Sequence, residues 1–461
     1  MVEERTKLLA EHPIGPLLFR LSLPSIIGMM ANAAYNLVDA IFVGRGINED
    51  ALAGITIAFP IHILFLAFGM TIGIGSGSIV SRALGAGQME RAERAAGTAV
   101  TFLLSAGALI VILGSIFLDP LLQLCGATPD SLPYARDYTA VIVIGAPLFM
   151  LLVGGNNLVR AEGAANVSMT VMLISAGLNI VLDPIFIFWL DMGIAGAAWA
   201  TVIAQTCGVG FLLFYLQSPR SMLKLHWRSM GIRWSMLGEM LAVGSGDAIR
   251  VGAGSAVIAM MNHTLVAFGG DWAVSVYGAI NRLMAFLFMP LIGIAHGLRP
   301  ILGFNYGARQ FGRARKVIFL TLLVTSAVSV TACILLQSFP EWAMRMFIKD
   351  PELVQRGARA LRLVTMAFFL VGWQVTGISV FQALGKVRPS FVLGLSRQVL
   401  FFIPSLLVLP RLLDLTGAWL AFPAADLLTS ALVGVFFFRQ MVIFHRAEKG
   451  EIQPVVSGEA R

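Results

Sequence analysis

Twelve apolar stretches of roughly 20 residues or more follow one another along this chain of 461 residues. A helix needs about 20 residues to cross the hydrocarbon core of a bilayer, so each stretch predicts one membrane-spanning helix. None shows the length of about 10 residues and the strict alternation that mark the strands of a membrane β-barrel. The sequence therefore predicts an all-α integral membrane protein. Its predicted spans are 18–43, 54–80, 96–118, 137–159, 168–190, 194–216, 237–265, 272–297, 316–338, 360–383, 389–410 and 416–438.

Composition and charge agree with a membrane protein. Only 13% of the residues are charged, against about 25% in soluble proteins. The formal charge of +8 does not predict a nucleic-acid partner here, because Lys and Arg lie in the loops between apolar stretches. They favour alternate loops by about three to one, which predicts that both termini are cytoplasmic in a multi-pass plasma-membrane protein. The first stretch has no cleavage site after it, so we expect a retained span.

The chain repeats itself at a nearly constant offset. GAGQMERA at 85–92 recurs as GARQFGRA at 307–314, and RAEG at 160–163 recurs as QALG at 382–385. This offset covers six spans, and an even number makes the two copies parallel. We therefore predict an N-lobe at 1–218, a basic cytoplasmic linker at 219–236 and a C-lobe at 237–461.

Two aspartates interrupt otherwise apolar spans at a similar predicted depth. The first ends a stripe spaced i, i+3, i+4, i+7, made of Asn32, Tyr35, Asn36 and Asp39. The second ends a stripe spaced i, i+4, i+8, made of Ser175, Asn179 and Asp183. Acids inside the membrane are costly and are usually functional. At an offset of about 220 residues, Asp39 faces Ala259 and Asp183 faces Ile403, so the pattern predicts a function housed in the N-terminal half.

Several segments together resemble the multidrug and toxic compound extrusion (MATE) family of cation-coupled antiporters. They are PSIIGMMANAAYNLVDAIFVG at 24–44, RAEGAAN at 160–166, LNIVLDPIF at 178–186, GIAGAAWAT at 193–201, GFNYGA at 303–308 and FQALGK at 381–386. The resemblance runs over nearly the whole chain. It implies twelve transmembrane helices in two six-helix lobes, V-shaped around a central cavity.

The resemblance also implies a set of functional residues. The cation-binding and coupling residues are Asp39, Asn179, Asp183 and Thr201, and the substrate-cavity candidates are Tyr35, Asn36, Tyr138 and Asn156. A second cation site of the family uses a Glu on the seventh helix, where this chain has Gly254, so we expect that site to be absent. Oxygen ligands suit Na⁺, which would bind at Asp39 and Asp183, and two close carboxylates also suit proton capture. The choice between Na⁺ and H⁺ stays open.

The sequence thus predicts a secondary antiporter that exports amphipathic, often cationic drugs and toxic compounds in exchange for Na⁺ or H⁺. We expect no enzymatic activity, no cofactor, surrounding membrane lipid and a monomer. No G-x-x-x-x-G-K-[ST] motif for ATP is present. One alternative is a flippase for a lipid-linked or polyanionic substrate, and a remoter one is an intramembrane aspartic protease. The C-lobe also has charges inside its spans whose role the sequence leaves undecided: Asp247, Arg250, Arg282, Arg397 and Asp426.

Overall fold

The fold comes from a computed structural model that describes residues 2–46, 49–226, 228–452 and 454. Within the helices, the side chains of 2–3, 36–37, 40–41, 44–46 and 49–52 lie outside this description. Helices account for the architecture of the described residues, because a backbone in hydrocarbon must satisfy its own hydrogen bonds. In chain order they are α1 Val2–Glu11, α2 Ile14–Gly46, α3 Glu49–Gly85, α4 Met89–Ile116, α5 Leu118–Leu124, α6 Leu132–Ala161, α7 Ala165–Pro184, α8 Gly193–Gln217, α9 Trp234–Gly269, α10 Asp271–Gly307, α11 Phe311–Ser338, α12 Pro340–Arg345, α13 Pro351–Thr365, α14 Val371–Ala383, α15 Val387–Leu395 and α16 Ile403–Glu448.

The twelve predicted spans are confirmed, although two irregular regions have to be interpreted before the spans can be counted. Ten helical stretches of the described residues are long and apolar enough to cross a membrane, and the pair α13–α14, bent by 41°, makes an eleventh. The last stretch, Val387–Glu448, has 62 residues and a non-helical break at Leu413 and Asp414. A straight helix of that length would measure about 93 Å, three times the ~30 Å hydrocarbon core. This stretch therefore contains two spans, which gives twelve.

The described chain forms two compact units. Unit 1 contains Met1–Glu11 and Leu23–Gly244, and unit 2 contains His12–Ser22 and Ser245–Arg461. The units thus differ from the predicted lobes in two short segments. The first turns of α2 belong to unit 2, and the predicted linker with the first turns of α9 belongs to unit 1. The predicted lobe boundaries follow the order of the spans and stay a prediction.

Close helix contacts explain why these two segments belong to a different unit from the one that the predicted lobes assign to them. In unit 1, a Cβ added to Gly75 of α3 would lie 2.2 Å from the Met240 carbonyl oxygen of α9. In unit 2, a Cβ added to Gly297 of α10 would lie 2.3 Å from the Ser22 hydroxyl of α2. Gly75 and Gly297 occupy equivalent positions in the two copies of the repeat. Each glycine is small enough to let a neighbouring backbone approach closely. The two segments therefore change unit at equivalent positions of the internal repeat.

The backbone itself also repeats. Gly87 and Arg309 have φ of 72° and 59°, and Gly163 and Gly385 have φ of 81° and 67°. Both pairs are separated by the same interval along the chain, which matches the offset of the sequence motifs. These four residues end helices in the left-handed conformation. The repeat is therefore present in the local backbone conformation as well as in the sequence.

A buried carboxylate holds α1 onto unit 1. Glu162, the residue after α6, is fully buried and pairs with Arg5 of α1 at 3.3 Å. The Tyr215 hydroxyl of α8 donates to the same carboxylate oxygen. The second oxygen accepts hydrogen bonds from the segment that follows α8, namely from Ser221 Oγ at 3.1 Å, Met222 N at 2.7 Å and Leu223 N at 3.2 Å. One side chain thus joins α1, α6, α8 and the start of the predicted linker.

Candidate cation site

The site is built where α7 ends and α8 begins. Pro184 has no N–H to donate, and the chain continues from it as a π-helix, Ile185–Trp189. A Cβ added to Gly196 of α8 would lie 2.6 Å from the carbonyl oxygen of Phe186 in this π-helix. Because Gly196 has no side chain, α8 returns against the π-helix and α7. This brings the polar faces of α7 and α8 together.

We expect Gly196→Ala to destabilise the protein by about 1–3 kcal/mol, because its Cβ overlaps a backbone atom that cannot rotate away. The matched control is Gly210→Ala on the same helix, where an added Cβ meets nothing within 4 Å. The control should be neutral or slightly stabilising, since Ala favours a helix over Gly. Thermal unfolding of both purified variants measures the difference. Equal unfolding temperatures would mean that the close approach at Gly196 is not required.

Asn179 connects the two helices at the site. Its Nδ2 donates to Asp183 Oδ1 at 3.0 Å, within α7, and to Thr201 Oγ1 of α8 at 3.2 Å. All three residues are buried, with exposed fractions of 2% for Asn179, 0% for Asp183 and 7% for Thr201. Three of the four predicted cation-binding residues therefore form one hydrogen-bonded cluster.

Asp39 of α2 lies near this cluster. It lies close enough for its charge to act on Asp183, and both carboxylates act on the buried Tyr138 of α6. Tyr35, one turn before Asp39 on the same helix, also lies near Tyr138. The structure thus brings together residues of α2, α6, α7 and α8, all within unit 1. The backbone of Asn36 is helical, but its side chain lies outside the described residues.

Three buried oxygens of the cluster lack a hydrogen-bond donor in the part of the chain that the structure describes. Among the described residues, Asp39 Oδ1, Asn179 Oδ1 and Asp183 Oδ2 have no partner. Unpaired buried acceptors are costly and call for a physical explanation. Two carboxylates and two neutral oxygens match the ligands that a hard cation such as Na⁺ prefers, and a proton can equally be held between the acids. The described residues contain no group of three His, Cys, Asp or Glu that could hold a metal ion, so the donor set does not resemble a transition-metal centre.

Asn156 lies in a different network. Its side chain donates to Leu152 O at 2.8 Å and accepts from Ser168 Oγ at 2.8 Å, while Arg160 Nε donates to Ser168 Oγ at 2.8 Å. Tyr138 lies five turns before Asn156 on α6, which is about 27 Å along the helix. The structure therefore does not bring Asn156 to the cluster, and its assignment to the substrate cavity stays a prediction.

Two further residues extend the polar face of the site. Ser175 Oγ is buried without a partner among the described residues, one turn before Asn179. Gln205, one turn after Thr201 on α8, is 6% exposed. The sequence pattern places Ser175 on the stripe, but it gave no prediction for Gln205. The sequence signal that could identify Gln205 is its spacing of i+4 from Thr201, which places both residues on one helix face.

Unit 2 also has charged residues inside its spans, and here arginines lie beside the acids. Asp247 of α9 accepts from Arg250 Nε at 2.9 Å and from Gln382 Nε2 at 2.5 Å. Arg299 of α10 is close enough to interact with Asp247, and two of its buried guanidinium nitrogens have no partner among the described residues. Gly254 lies on the same helix as Asp247, and the atom nearest to an added Cβ there would be Gln398 Nε2 at 3.5 Å.

A second ion pair of unit 2 involves Arg397. Its Nε donates to Asp426 Oδ1 at 2.6 Å, and its guanidinium lies 5.2 Å from the ring centre of Phe288. Gln374 donates to both Asp426 and Ser430. Arg282 of α10 is exposed. Asp247 and Asp426 are thus both paired with arginine, whereas no arginine of the described residues pairs with the acids of the cluster in unit 1.

A helical membrane protein with a parallel internal repeat, and with paired carboxylates buried in one half, has the architecture of a secondary transporter. The MatE family model matches residues 24–185 and 251–407, which is well over half of the chain. The chain belongs to the multidrug and toxic compound extrusion (MATE) family, as its resemblance to that family predicted.

Relatives of the chain match it over nearly its full length. The Multidrug export protein MepA of Staphylococcus aureus (strain N315) is 25% identical over 97% of this chain and 99% of its own length. The FAD transporter of Shewanella oneidensis is 29% identical over 91% of this chain and 93% of its own length. The solved structure of the MATE multidrug transporter DinF-BH in complex with rhodamine 6G is 38% identical, with a TM-score of 0.87, and covers 94% of this chain and 97% of that one.

Proposed function

We propose that this chain is a secondary antiporter that exports amphipathic, often cationic small molecules in exchange for Na⁺ or H⁺. The observation that carries the proposal is the cluster of Asp39, Asp183, Asn179 and Thr201, in which three buried oxygens lack a donor among the described residues. A bound cation or proton would supply the missing partner. Its binding free energy can then favour one conformation of the transporter over another, provided that the two conformations bind it differently.

Known relatives support the substrate class. MepA is named as a multidrug export protein, and DinF-BH has been solved with rhodamine 6G bound. The proposal includes a multi-pass location in the plasma membrane, both termini in the cytoplasm, a monomer, no cofactor and no enzymatic step. The proposed substrate-cavity residues are Tyr35, Asn36, Tyr138 and Asn156, of which Tyr35 and Tyr138 lie near the cation site.

Asn179 and Thr201 should tune cation affinity rather than define it. Each contributes one neutral oxygen or hydrogen bond, worth about 0.5–1.5 kcal/mol. Asn179→Ala and Thr201→Ala should therefore raise the Na⁺ concentration for half-maximal transport by roughly two- to tenfold. If the ion is H⁺, the pH optimum should shift instead. Transport assays across a Na⁺ and a pH series measure both effects.

The matched control for these variants is Thr206→Ala. Thr206 lies on α8 like Thr201, is exposed, and bonds to the Val202 carbonyl oxygen of its own helix, at 2.6 Å. Its removal should leave both profiles unchanged. If Asn179→Ala and Thr201→Ala behave like this control, the two residues lie outside the coupling site.

Vesicles that contain the purified protein and are loaded with rhodamine 6G test the proposed function. Dye movement should accelerate when a Na⁺ or an H⁺ gradient is imposed, and the gradient that works identifies the ion. Dye movement equal to that of protein-free vesicles under both gradients would reject export of this class of compound.

One relative favours a second candidate, export of an anionic compound. The Shewanella oneidensis protein is named a FAD transporter, and FAD carries a pyrophosphate. Unit 2 offers Arg250, Arg282 and Arg397, of which Arg250 and Arg397 keep 34% and 28% of their side chains exposed beside their aspartates. Guanidinium groups suit phosphate oxygens. Gradient-driven loss of FAD from the same vesicles, without loss of rhodamine 6G, would favour this candidate.

A further inference from the structure

A groove of about 610 Å³ lies in unit 2 between α11 and α16. Its polar end is basic and is formed by Arg315 and Lys316, in the first turns of α11, and by His445 in the last turn of α16. Both helices have reached the same end of the unit here, since α11 begins where α16 finishes. The basic residues therefore lie at one edge of the membrane-spanning region.

The rest of the groove is apolar and leads away from this edge. Phe319 and Leu322 lie about 6 and 10 Å along α11 from Arg315, and Met441 lies about 6 Å along α16 from His445. Phe319 is 69% exposed and Val442 is 41% exposed, so their apolar surface faces the bilayer. The groove thus has a polar end at the membrane edge and an apolar part directed into the membrane. These two parts match the polar headgroup and the apolar acyl chains of a phospholipid.

The charged residues at the polar end of the groove determine which kind of lipid headgroup it can bind. Arg315 pairs with Glu448 at 3.1 Å, and Arg446 pairs with Glu451 at 3.1 Å. Lys316 is exposed, and no carboxylate of the described residues pairs with it. The groove therefore has an excess of positive charge. Basic pockets between transmembrane helices are the sites at which anionic lipid headgroups bind.

The equivalent face of unit 1 is covered by protein. A Cβ added to Gly97 of α4, which is the repeat counterpart of Phe319, would lie 2.2 Å from Ser229 O. The neighbouring Thr98 donates to Gly231 O at 3.1 Å. The predicted linker thus packs on this face in the first repeat, whereas the described chain leaves the corresponding face open in the second. The open face is available to a molecule from outside the chain.

We propose that the groove between α11 and α16 binds an anionic diacyl phospholipid. Its phosphate lies against Arg315 and Lys316, and an acyl chain lies along Phe319, Leu322 and Met441. The site is separate from the cation cluster, which belongs to unit 1. The lipid would bind the protein whatever compound the transporter exports.

Native mass spectrometry of the full-length protein in detergent tests the site. The probes are phosphatidylglycerol and phosphatidylcholine with identical acyl chains. We expect wild type to retain phosphatidylglycerol preferentially. Lys316→Gln should weaken that preference by about fivefold, the effect of one basic residue at an anionic surface. Val442→Trp should weaken binding of both lipids, because it fills the apolar part without changing the charge.

The matched control is Lys349→Gln, an exposed lysine beyond the opposite end of α11, which should leave the preference unchanged. Three results would overturn the proposal. They are equal retention of both lipids by wild type, an equal loss in Lys316→Gln and Lys349→Gln, or displacement of the lipid by inorganic phosphate at the same concentration. A preference that arises only after deletion of 453–461 would also overturn it, since that segment would then be the natural occupant.

Discussion

Replacement of Asp39 or Asp183 by asparagine is expected to reduce gradient-driven export to the level of vesicles without protein. The amide has the size of the carboxylate but neither balances the charge of Na⁺ nor takes up a proton. Loss of one partner from a buried charged interaction costs about 3 kcal/mol, which weakens cation binding on the order of 100-fold. Dye efflux at equal protein content measures the effect.

Asp191→Asn is the matched control for these two variants. Asp191 is exposed, follows the π-helix after Asp183, and has a φ of 51°, which asparagine tolerates well. Asp191→Asn removes the same charge from the same part of the chain, so export by this variant should match wild type. Near-normal export by Asp39→Asn and Asp183→Asn would remove both acids from the coupling site.

The second large effect concerns stability. Glu162→Ala should destabilise the protein by about 3–5 kcal/mol, because it leaves Arg5 and several buried donors without their acceptor. The loss should appear as a much lower thermal unfolding temperature. The segment that follows α8 should also become more sensitive to protease, because its backbone N–H groups bond to this carboxylate.

Glu448→Ala provides the comparison for Glu162→Ala. Glu448 also pairs with an arginine, but its side chain is 42% exposed and that of Arg315 is 43% exposed. Exposed ion pairs contribute about 0–1 kcal/mol, so this variant should unfold close to wild type. Equal unfolding temperatures for the two variants would mean that the Glu162 network does not hold α1 and the linker in place.

Much of the fold was predictable because it depends on patterns that survive in a single sequence. Long apolar stretches predict spans, since hydrocarbon requires helices of fixed minimum length. The repeat was visible in short motifs such as GAGQMERA, and these motifs mark the helix ends where Gly87 and Arg309 adopt positive φ. Polar residues at i+4 predicted that Asn179 and Asp183 would meet, and a 3.0 Å hydrogen bond joins them.

The remainder depends on contacts between distant segments. The exchange of the first turns of α2 and α9 follows from glycine contacts at Gly75 and Gly297, which no local pattern specifies. Glu162 gave no signal beyond its motif, because its partners lie 53 or more residues away along the chain. The resemblance alone predicts a role for Asn156, and spacing on one helix does not reveal its hydrogen bond with Ser168 of the next helix.

Ion movement coupled to substrate is the most direct test of the central claim that Asp39 and Asp183 couple a cation gradient to export. Rhodamine 6G is added to vesicles that contain wild type, Asp39→Asn, Asp183→Asn or Asp191→Asn, and Na⁺ and H⁺ fluxes are recorded separately. We predict that dye drives a flux of one of the two ions through wild type and Asp191→Asn, and none through the other two variants. Dye-driven ion flux that persists in Asp39→Asn and Asp183→Asn would contradict it.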